Sequence, residues 1–366
     1  MKKLILELLK FILKPKLKYL PSEKDLLKHI GSRSRFLIVR QHNQLGDMLL
    51  SNSLFRAIKE KLPESFLCVV ASKENYDAIA SNRYIDRVIL FDKKKFWNPI
   101  SIINFFKQLH ELNFDVAIVP VTVSISFTSC LIARLSGSKF VIGPKSLDGK
   151  PNNYSFMFDY SIDVGCGEND RRHISEKIQD ILKPFGIFTE DLSEHILVND
   201  EDRRFAKDFF SEVDGKKVGL HIGAGKVPNR WNVSKFAEVI NYLYDKYNSF
   251  IFLTIGHWDE ELLKQILPLL NREPIILKNY PLPKIAAIID EADLFISNDT
   301  GIMHVAGSTK TPLIALFGPT DPEIWVPVGE NKFYIKKGAS IDDIQVDDVI
   351  KLIDAIFSQQ KEKKEK

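Results

Sequence analysis

Short apolar runs alternate with segments of helical length along most of the chain after residue 34. The runs in the first half are RFLIV, SFLCVVA, RVILF, DVAIVP and KFVIG, and those in the second half are KKVGLHIG, SFIFLTIG, PIILKN, ADLFIS and TPLIALFG. Continuous apolar strands separated by helices are typical of a parallel sheet covered on both faces. The sequence therefore predicts an α/β fold with two doubly wound parallel sheets.

Segments of helical length fall between these runs, and a break in the pattern suggests a division of the chain. The predicted helices include 47–62, 99–111, 124–135, 233–247, 258–270 and 283–290. At residues 183–202, Pro184, Gly186 and several acids indicate a linker. A chain of 366 residues is long enough for two domains. We expect a basic amphipathic segment at 1–33, domains at 34–185 and 200–340, and a C-terminal helix with a charged, disordered tail at 341–366.

Composition excludes several classes of protein. Hydrophobic content of 45% and charged content of 27% fit a soluble globular protein. The net charge is only +3, and residues 1–20 alone carry six lysines and one glutamate, which argues against a broad nucleic-acid surface. The three cysteines form no CxxC pair, so neither a disulfide framework nor a structural zinc site is expected.

The first twenty residues, MKKLILELLKFILKPKLKYL, have an amphipathic pattern. Lys3, Glu7, Lys10 and Lys14 share one helical stripe, and leucine, isoleucine and phenylalanine fill the remainder. The apolar run is too short to span a membrane, and its charges argue against a signal peptide. The lysines favour a helix lying at a membrane surface, with packing against the protein body as the alternative.

The loop RQHNQLGDM follows the first predicted strand. Gly46 permits close approach of another group, and Asp47 follows it at the start of a helix. An aspartate there is commonly an N-cap. Because ligands of open parallel sheets bind beyond the carboxyl ends of the strands, Asp47 is also a candidate catalytic base.

Two loops of the second half have features of anion sites. HIGAGKVPNRWN combines Gly223 and Gly225 with Lys226 and Arg230, a combination that suits a phosphate. It matches neither a P-loop nor a GxGxxG motif.

The second of these loops is SNDTGIMHVAG. A strand there ends at NDTG, and a helix beginning near Thr300 would direct the amides of Thr300, Gly301 and Ile302 outward. His304 lies one turn into that helix, as either a packed core residue or a site residue.

These segments resemble glycosyltransferase family 9, the ADP-heptose:lipopolysaccharide heptosyltransferases and their relatives. The resemblance rests on RQHNQLGDMLLSNSLFRAIKEKLP, GAGKVPNRW and SNDTGIMHVAG…TPLIALFGPTDPEIWVP, over roughly residues 35–335. It implies a GT-B fold, with two Rossmann-like domains facing a central cleft. It also implies inverting transfer from an ADP-sugar without a metal cofactor.

The resemblance also implies roles for individual residues. Asp47 matches the family's catalytic aspartate, and Glu260, with Asp259 as the alternative, falls near its acidic ribose contact. Asn229 stands where many members have a lysine, which leaves Lys226 or Arg230 to supply the charge. The residues expected to bind the donor are Gly46, Gly225, Lys226, Arg230, Glu260, Asp299, Thr300, Gly301 and His304.

The resemblance therefore predicts an inverting glycosyltransferase that moves a sugar from an ADP-sugar to a lipopolysaccharide core or related lipid-linked acceptor. Heptose is the sugar that we expect. Its expected location is the cytoplasmic face of a bacterial inner membrane, held there by the N-terminal helix. The alternatives are a GT-B glycosyltransferase with a different nucleotide sugar, and a catalytically silent protein that binds a nucleotide sugar or glycan.

Overall fold

The computed structural model describes residues 11–15, 19–42, 44–95, 98–147, 149–165, 170–256 and 258–365. The chain divides into two compact units. The first comprises Met1–Gln44 and Leu50–Leu192, and the second comprises Leu45–Leu49 and Ser193–Lys366. The short segment 45–49 therefore groups with the second unit, although the chain on either side of it belongs to the first.

The described residues of the first unit form seven strands in one sheet. Its strands are β1 (Arg35–Arg40), β2 (Phe66–Ala71), β3 (Arg87–Leu90), β4 (Val116–Ile118), β5 (Phe140–Leu147), β6 (Lys150–Pro151) and β7 (Tyr160–Val164). The strand order is β3-β2-β1-β4-β5, with β7 parallel to β5 and the two-residue β6 antiparallel to it. The five predicted strands of this half are confirmed, and β6 and β7 are additional.

Helices connect these strands. They are α1 (Leu26–Ile30), α2 (Leu45–Leu50), α3 (Asn52–Lys61), α4 (Lys73–Ile79), α5 (Pro99–Glu111), α6 (Phe127–Leu135) and α7 (Ile174–Lys177). The predicted helix 47–62 is divided into α2 and α3 at Ser51. Helix α5 begins where Asn98 accepts hydrogen bonds from the amides of Ile100 and Ser101, with Pro99 at its first position.

In the second unit, the residues that the structure describes form six parallel strands. They are β8 (Lys217–His221), β9 (Phe250–Ile255), β10 (Ile275–Lys278), β11 (Leu294–Asn298), β12 (Leu313–Leu316) and β13 (Lys332–Ile335). Their order is β10-β9-β8-β11-β12-β13, which is the Rossmann order 3-2-1-4-5-6. The direction of winding reverses between β8 and β11, so the loops that leave these two strands flank the ligand-binding position of such sheets.

The helices of the second unit cover both faces of this sheet. They are α8 (Asp200–Phe209), α9 (Val233–Tyr247), α10 (Glu260–Ile266), α11 (Leu282–Asp290), α12 (Gly301–Gly307), α13 (Pro322–Trp325) and α14 (Val346–Glu365). Helix α9 has the bounds that the sequence predicts, because Asn232 caps its first turn and Asn248 adopts the left-handed conformation after its last. The predicted fold class of two doubly wound parallel α/β units is confirmed.

The C-terminal tail differs from its prediction. We expected disorder after Phe357, but helix α14 continues to Glu365. Ile353 and Phe357 are buried in the core of the second unit, and the side chain of Gln360 donates to the carbonyl oxygen of Asp293 at 2.8 Å. Packing therefore anchors the start of the helix, and the glutamines, lysines and glutamates that follow extend it because they are good helix formers.

The predicted N-terminal helix falls mainly on residues 1–10, which lie outside the described residues. Residues 11–13 are helical. Leu13 is buried in the core of the first unit, whereas Phe11 is 80% exposed and Ile12 is 55% exposed. No helix in the described parts of the chain is long and apolar enough to cross a membrane.

Candidate active site

Asp47 lies inside a helix rather than at its cap. Helix α2 begins at Leu45, so Asp47 is its third residue and the N-cap alternative is wrong. A carboxylate in the first helical turn is still favoured by the helix dipole. The Asp47 side chain is half-buried, and its negative charge acts on His304 of helix α12.

The start of helix α2 packs tightly on helix α12. A Cβ atom added to Gly46 would lie 2.6 Å from Cδ2 and 3.0 Å from Nε2 of His304. A Cβ atom added to Gly301 would lie 2.9 Å from Cβ of Leu45. Both glycines therefore permit a close approach that a larger residue would prevent. The structure thus brings Gly46, Asp47, Gly301 and His304 together.

Helix α12 begins directly after β11, beside the point where the winding of the sheet reverses. Thr300 precedes the helix in an extended conformation, and its side chain makes no capping hydrogen bond. The first amides of the helix are thus left without a capping side chain, an arrangement that suits an anionic ligand. This agrees with the predicted placement of Thr300 and Gly301.

The loop after β8 contains three of the predicted donor-binding residues. Gly225 and Lys226 are exposed, and the side chain of Lys226 makes no hydrogen bond or ion pair to another described residue. Arg230 is half-buried, and its Nε donates to the carbonyl oxygen of Ala224 at 2.7 Å. One nitrogen of Arg230 therefore supports its own loop, which leaves the terminal nitrogens for a ligand.

Asp299 has a different environment from the one expected of a donor contact. Its carboxylate accepts hydrogen bonds from Asn229 Nδ2 at 2.9 Å and from Thr320 Oγ1 at 2.5 Å. It therefore joins the loops that follow β8 and β12 to the start of helix α12. Asn229, which occupies the position of the motif lysine, is buried by this interaction. These contacts favour a positioning role for Asp299, and its contact with the donor stays a prediction.

Asn298 also holds this region together. It is fully buried at the end of β11, and its Nδ2 donates to the carbonyl oxygens of Ile222 and Gly223. Its Oδ1 accepts a hydrogen bond from the amide of Trp231. The sequence analysis missed Asn298, although its place before the Asp-Thr-Gly motif was a usable signal.

The two acids near the predicted ribose contact differ in their surroundings. Asp259 is buried, and its Oδ2 accepts from the amide of Gly256 at 2.9 Å and lies 3.8 Å from Nε2 of His221. Burial lowers the pKa of His221, although Asp259 and Thr254 oppose that effect. Glu260 is more exposed and lies 2.5 Å from Nζ of Lys278. The greater exposure of Glu260 favours it over Asp259, and its contact with the donor stays a prediction.

His304 is buried, and a carboxylate partners it. Its Nδ1 lies 2.5 Å from Oε1 of Glu194, whose side chain is 1% exposed. Burial by itself lowers the pKa of His304, but attraction and hydrogen bonding from Glu194, followed by Asp299 and Asp47, raise the pKa above its usual value. Glu194 belongs to the segment predicted as a linker, and the sequence analysis missed it.

A search of the described residues finds no group of three or more histidine, cysteine, aspartate or glutamate side chains that could hold a metal ion.

Comparison with known proteins decides the family. The sequence model of glycosyltransferase family 9 (heptosyltransferase) matches residues 102–343, well over half of the chain. The chain belongs to glycosyltransferase family 9. The resemblance of the chain to this family is therefore confirmed. The match begins after Asp47, so the role of that residue stays a prediction.

Family 9 relatives match most of the chain. Lipopolysaccharide heptosyltransferase 3 of Escherichia coli K12 is 25% identical over 307 residues, which cover 78% of this chain and 83% of the relative. The chain is therefore similar in sequence and extent to an enzyme named as a heptosyltransferase.

Solved family 9 structures share the fold. The glycosyltransferase family 9 structure from Veillonella parvula has a TM-score of 0.76 and 21% identity, covering 89% of this chain and 98% of its own. Escherichia coli heptosyltransferase WaaC with ADP has a TM-score of 0.70 and 20% identity, covering 88% and 99%. The predicted GT-B class is confirmed.

Proposed function

We propose that this family 9 glycosyltransferase transfers heptose from ADP-heptose to a lipopolysaccharide or lipooligosaccharide core acceptor, with inversion at the anomeric carbon. Two relatives support the substrates: the Escherichia coli enzyme named lipopolysaccharide heptosyltransferase 3, and WaaC, whose structure contains ADP.

The contact between the starts of helices α2 and α12 carries the proposal. It places Asp47 beside the N-terminus that begins at Thr300 and Gly301. The proposed base and the proposed anion-binding terminus thus lie next to each other within one compact unit. Glycosyl transfer needs this pair, because a proton leaves the acceptor while negative charge develops on the diphosphate.

In the proposed reaction, the acceptor hydroxyl oxygen attacks the anomeric carbon and Asp47 accepts its proton. The bond between the anomeric carbon and the diphosphate oxygen breaks, and the electron pair stays with the diphosphate. The amides of Thr300 and Gly301, with Lys226 and Arg230, stabilise that charge. Glu260 contacts the ribose, and Gly225 allows the phosphates to approach the backbone.

The experiment is a transfer assay with ADP-heptose and a heptose-deficient core acceptor. Mass spectrometry should show addition of one heptose with release of ADP, and NMR of the product should show the inverted anomer. A parallel panel of UDP-, GDP- and ADP-sugars tests the donor. Transfer only from a UDP- or GDP-sugar would overturn the donor assignment, and ADP binding without turnover with any acceptor would favour a silent binding protein.

The same assay tests the metal requirement. We expect turnover to survive EDTA, because a cationic loop and a helix N-terminus can stabilise the leaving group. Loss of activity on chelation, restored by Mg²⁺ or Mn²⁺, would contradict this expectation.

We also propose that the N-terminal segment binds the cytoplasmic face of the inner membrane, where a lipid-linked acceptor is presented. The exposed side chains of Phe11 and Ile12 support this, together with the lysines that flank them in the sequence. Replacing both Phe11 and Ile12 by serine should abolish binding to anionic vesicles and leave thermal stability unchanged. Leu13→Ala, the control, should lower stability because Leu13 is buried. Unchanged vesicle binding by the double variant would contradict the proposal.

A further inference from the structure

Glu194 is a buried carboxylate outside the three sequence motifs. It belongs to the second unit, at the second position of the segment Ser193–Lys366, and its side chain is 1% exposed. Glutamate is rarely buried to this extent unless it is paired, because transfer of the charge out of water is costly. Its Oε1 is 2.5 Å from His304 Nδ1, and its charge also attracts the half-buried Lys332.

This contact fixes the direction of the His304 ring. Because Nδ1 is held by Glu194, the opposite edge of the ring, with Cδ2 and Nε2, lies against Gly46. No described residue forms a hydrogen bond with Nε2. The ring nitrogen that remains for a ligand is therefore on the side of Asp47, one turn into the helix that begins at Gly301.

The surroundings of His304 favour its positive charge. Glu194 from the segment before helix α8, Asp299 from the loop before helix α12 and Asp47 from helix α2 all attract it, and together they outweigh the cost of burial. Lys332 on β13 is directed elsewhere, since its Nζ donates to the carbonyl oxygens of Ala306, Thr309 and Thr311 at the end of helix α12.

A buried cation at this position would be well suited to the reaction. The motif lysine is replaced by Asn229, whose amide is engaged with Asp299. Lys226 is exposed, so water screens its charge. A charge held in a less polar environment interacts more strongly with a developing diphosphate charge than an exposed one does.

We propose that Glu194 is a positioning residue for sugar transfer: it holds His304 as an imidazolium whose Nε2–H is turned towards the Gly46–Asp47 side of the helix α12 N-terminus. From there the imidazolium stabilises the leaving diphosphate and the ionised form of Asp47. This inference rests on the proposed transferase function.

The test combines NMR titration with kinetics on the full chain. Glu194→Gln keeps a side-chain oxygen that can accept from Nδ1 but removes the charge. In ¹⁵N-histidine spectra, with His304 assigned from the His304→Gln variant, this substitution should lower the pKa of His304. At pH values above the His304 pKa, each pKa unit of that decrease should reduce kcat/KM about tenfold, because the protonated fraction of His304 falls tenfold. The loss should shrink as the pH falls and His304 becomes protonated again.

Two controls separate positioning from folding. Asp293→Asn removes a partly buried carboxylate at the opposite end of β11, where it accepts from the amide of Lys217, and should leave the pH profile unchanged. A variant that combines Glu194→Gln with His304→Gln should be no slower than His304→Gln alone, because residues that act through one another are not additive. A purely structural Glu194 would instead add its full penalty in the double variant.

Two outcomes of the titration and the kinetics would contradict a positioning role for Glu194. An unchanged His304 pKa in Glu194→Gln would overturn the proposal, and so would a lowered pKa with an unchanged alkaline limb. If the wild-type protein shows no transfer with any donor, the proposed function fails separately. In that case, the His304 pKa and the ADP affinity of the wild type and of Glu194→Gln are compared. They decide whether Glu194 holds His304 as a cation that binds the diphosphate.

Discussion

Gly46→Ala tests the packing on which the candidate site depends. The added methyl group would lie 2.6 Å from Cδ2 of His304, about 1 Å closer than an ordinary carbon–carbon contact. The His304 ring must therefore move, and its contact with Glu194 on the opposite edge must rearrange. Overpacking of this kind costs about 1–3 kcal/mol, and the better helix propensity of alanine offsets about 1 kcal/mol of that.

We therefore expect Gly46→Ala to lower the free energy of unfolding by about 0–2 kcal/mol. The effect on catalysis should be larger, since a displacement of about 1 Å in a positioned group can cost about 10²-fold in rate. Urea denaturation measures the first quantity, and kcat with saturating donor measures the second.

Gly225→Ala is the matched control for stability. A Cβ atom at Gly225 would meet nothing within 4 Å, so this substitution should be neutral or slightly stabilising. If Gly46→Ala retains wild-type kcat and wild-type stability, then Gly46 does not pack on His304 as described, and the argument for a joint site loses its main support.

Three further variants test individual residues. Asp47→Asn should retain the fold and ADP affinity and lose about 10²–10⁴-fold in kcat, since that is the contribution of a positioned base; near-normal turnover would show that Asp47 is not the base. Arg230→Gln should weaken ADP far more than adenosine in calorimetry, and equal losses would place the loop against the nucleoside. Because the pKa of folded His304 is raised, its stabilising contribution is complete below about pH 6.5 and is lost as the pH rises through the folded pKa. The unfolding free energies of wild type and His304→Gln should therefore converge as the pH rises, and a constant difference would contradict this.

The sequence analysis found the edge strands β3 and β10, but most of the strands that it found lie inside the sheets. Their burial on both faces produces continuous apolar runs such as RFLIV, which identify them without tertiary information. It missed β7 and β13, which lie at or near sheet edges and carry polar residues, as in YSIDV and KFYI. Their assignment depends on pairing with a neighbouring strand, which a single sequence does not reveal.

For the site, motifs located the loops but not the partners of their residues. The sequence could place Thr300 and Gly301 at a helix start because a strand and a helical pattern meet there. It could not place Glu194 against His304, because the two are 110 residues apart and Glu194 lies in no motif. The sequence analysis left Asp259 as an alternative to Glu260 for the ribose contact. The two acids are adjacent in the chain, and only their burial in the structure distinguishes them.

The grouping of residues 45–49 with the second unit affects how these enzymes can be recombined. A chimera that replaced everything before residue 193 would exchange Gly46 and Asp47 along with the rest of the first unit, but would keep Gly301 and His304. The incoming segment would then have to fit a surface that leaves no room for a side chain at position 46 or at position 301. The first unit therefore cannot be exchanged on its own unless this five-residue segment fits the second unit of the new chain.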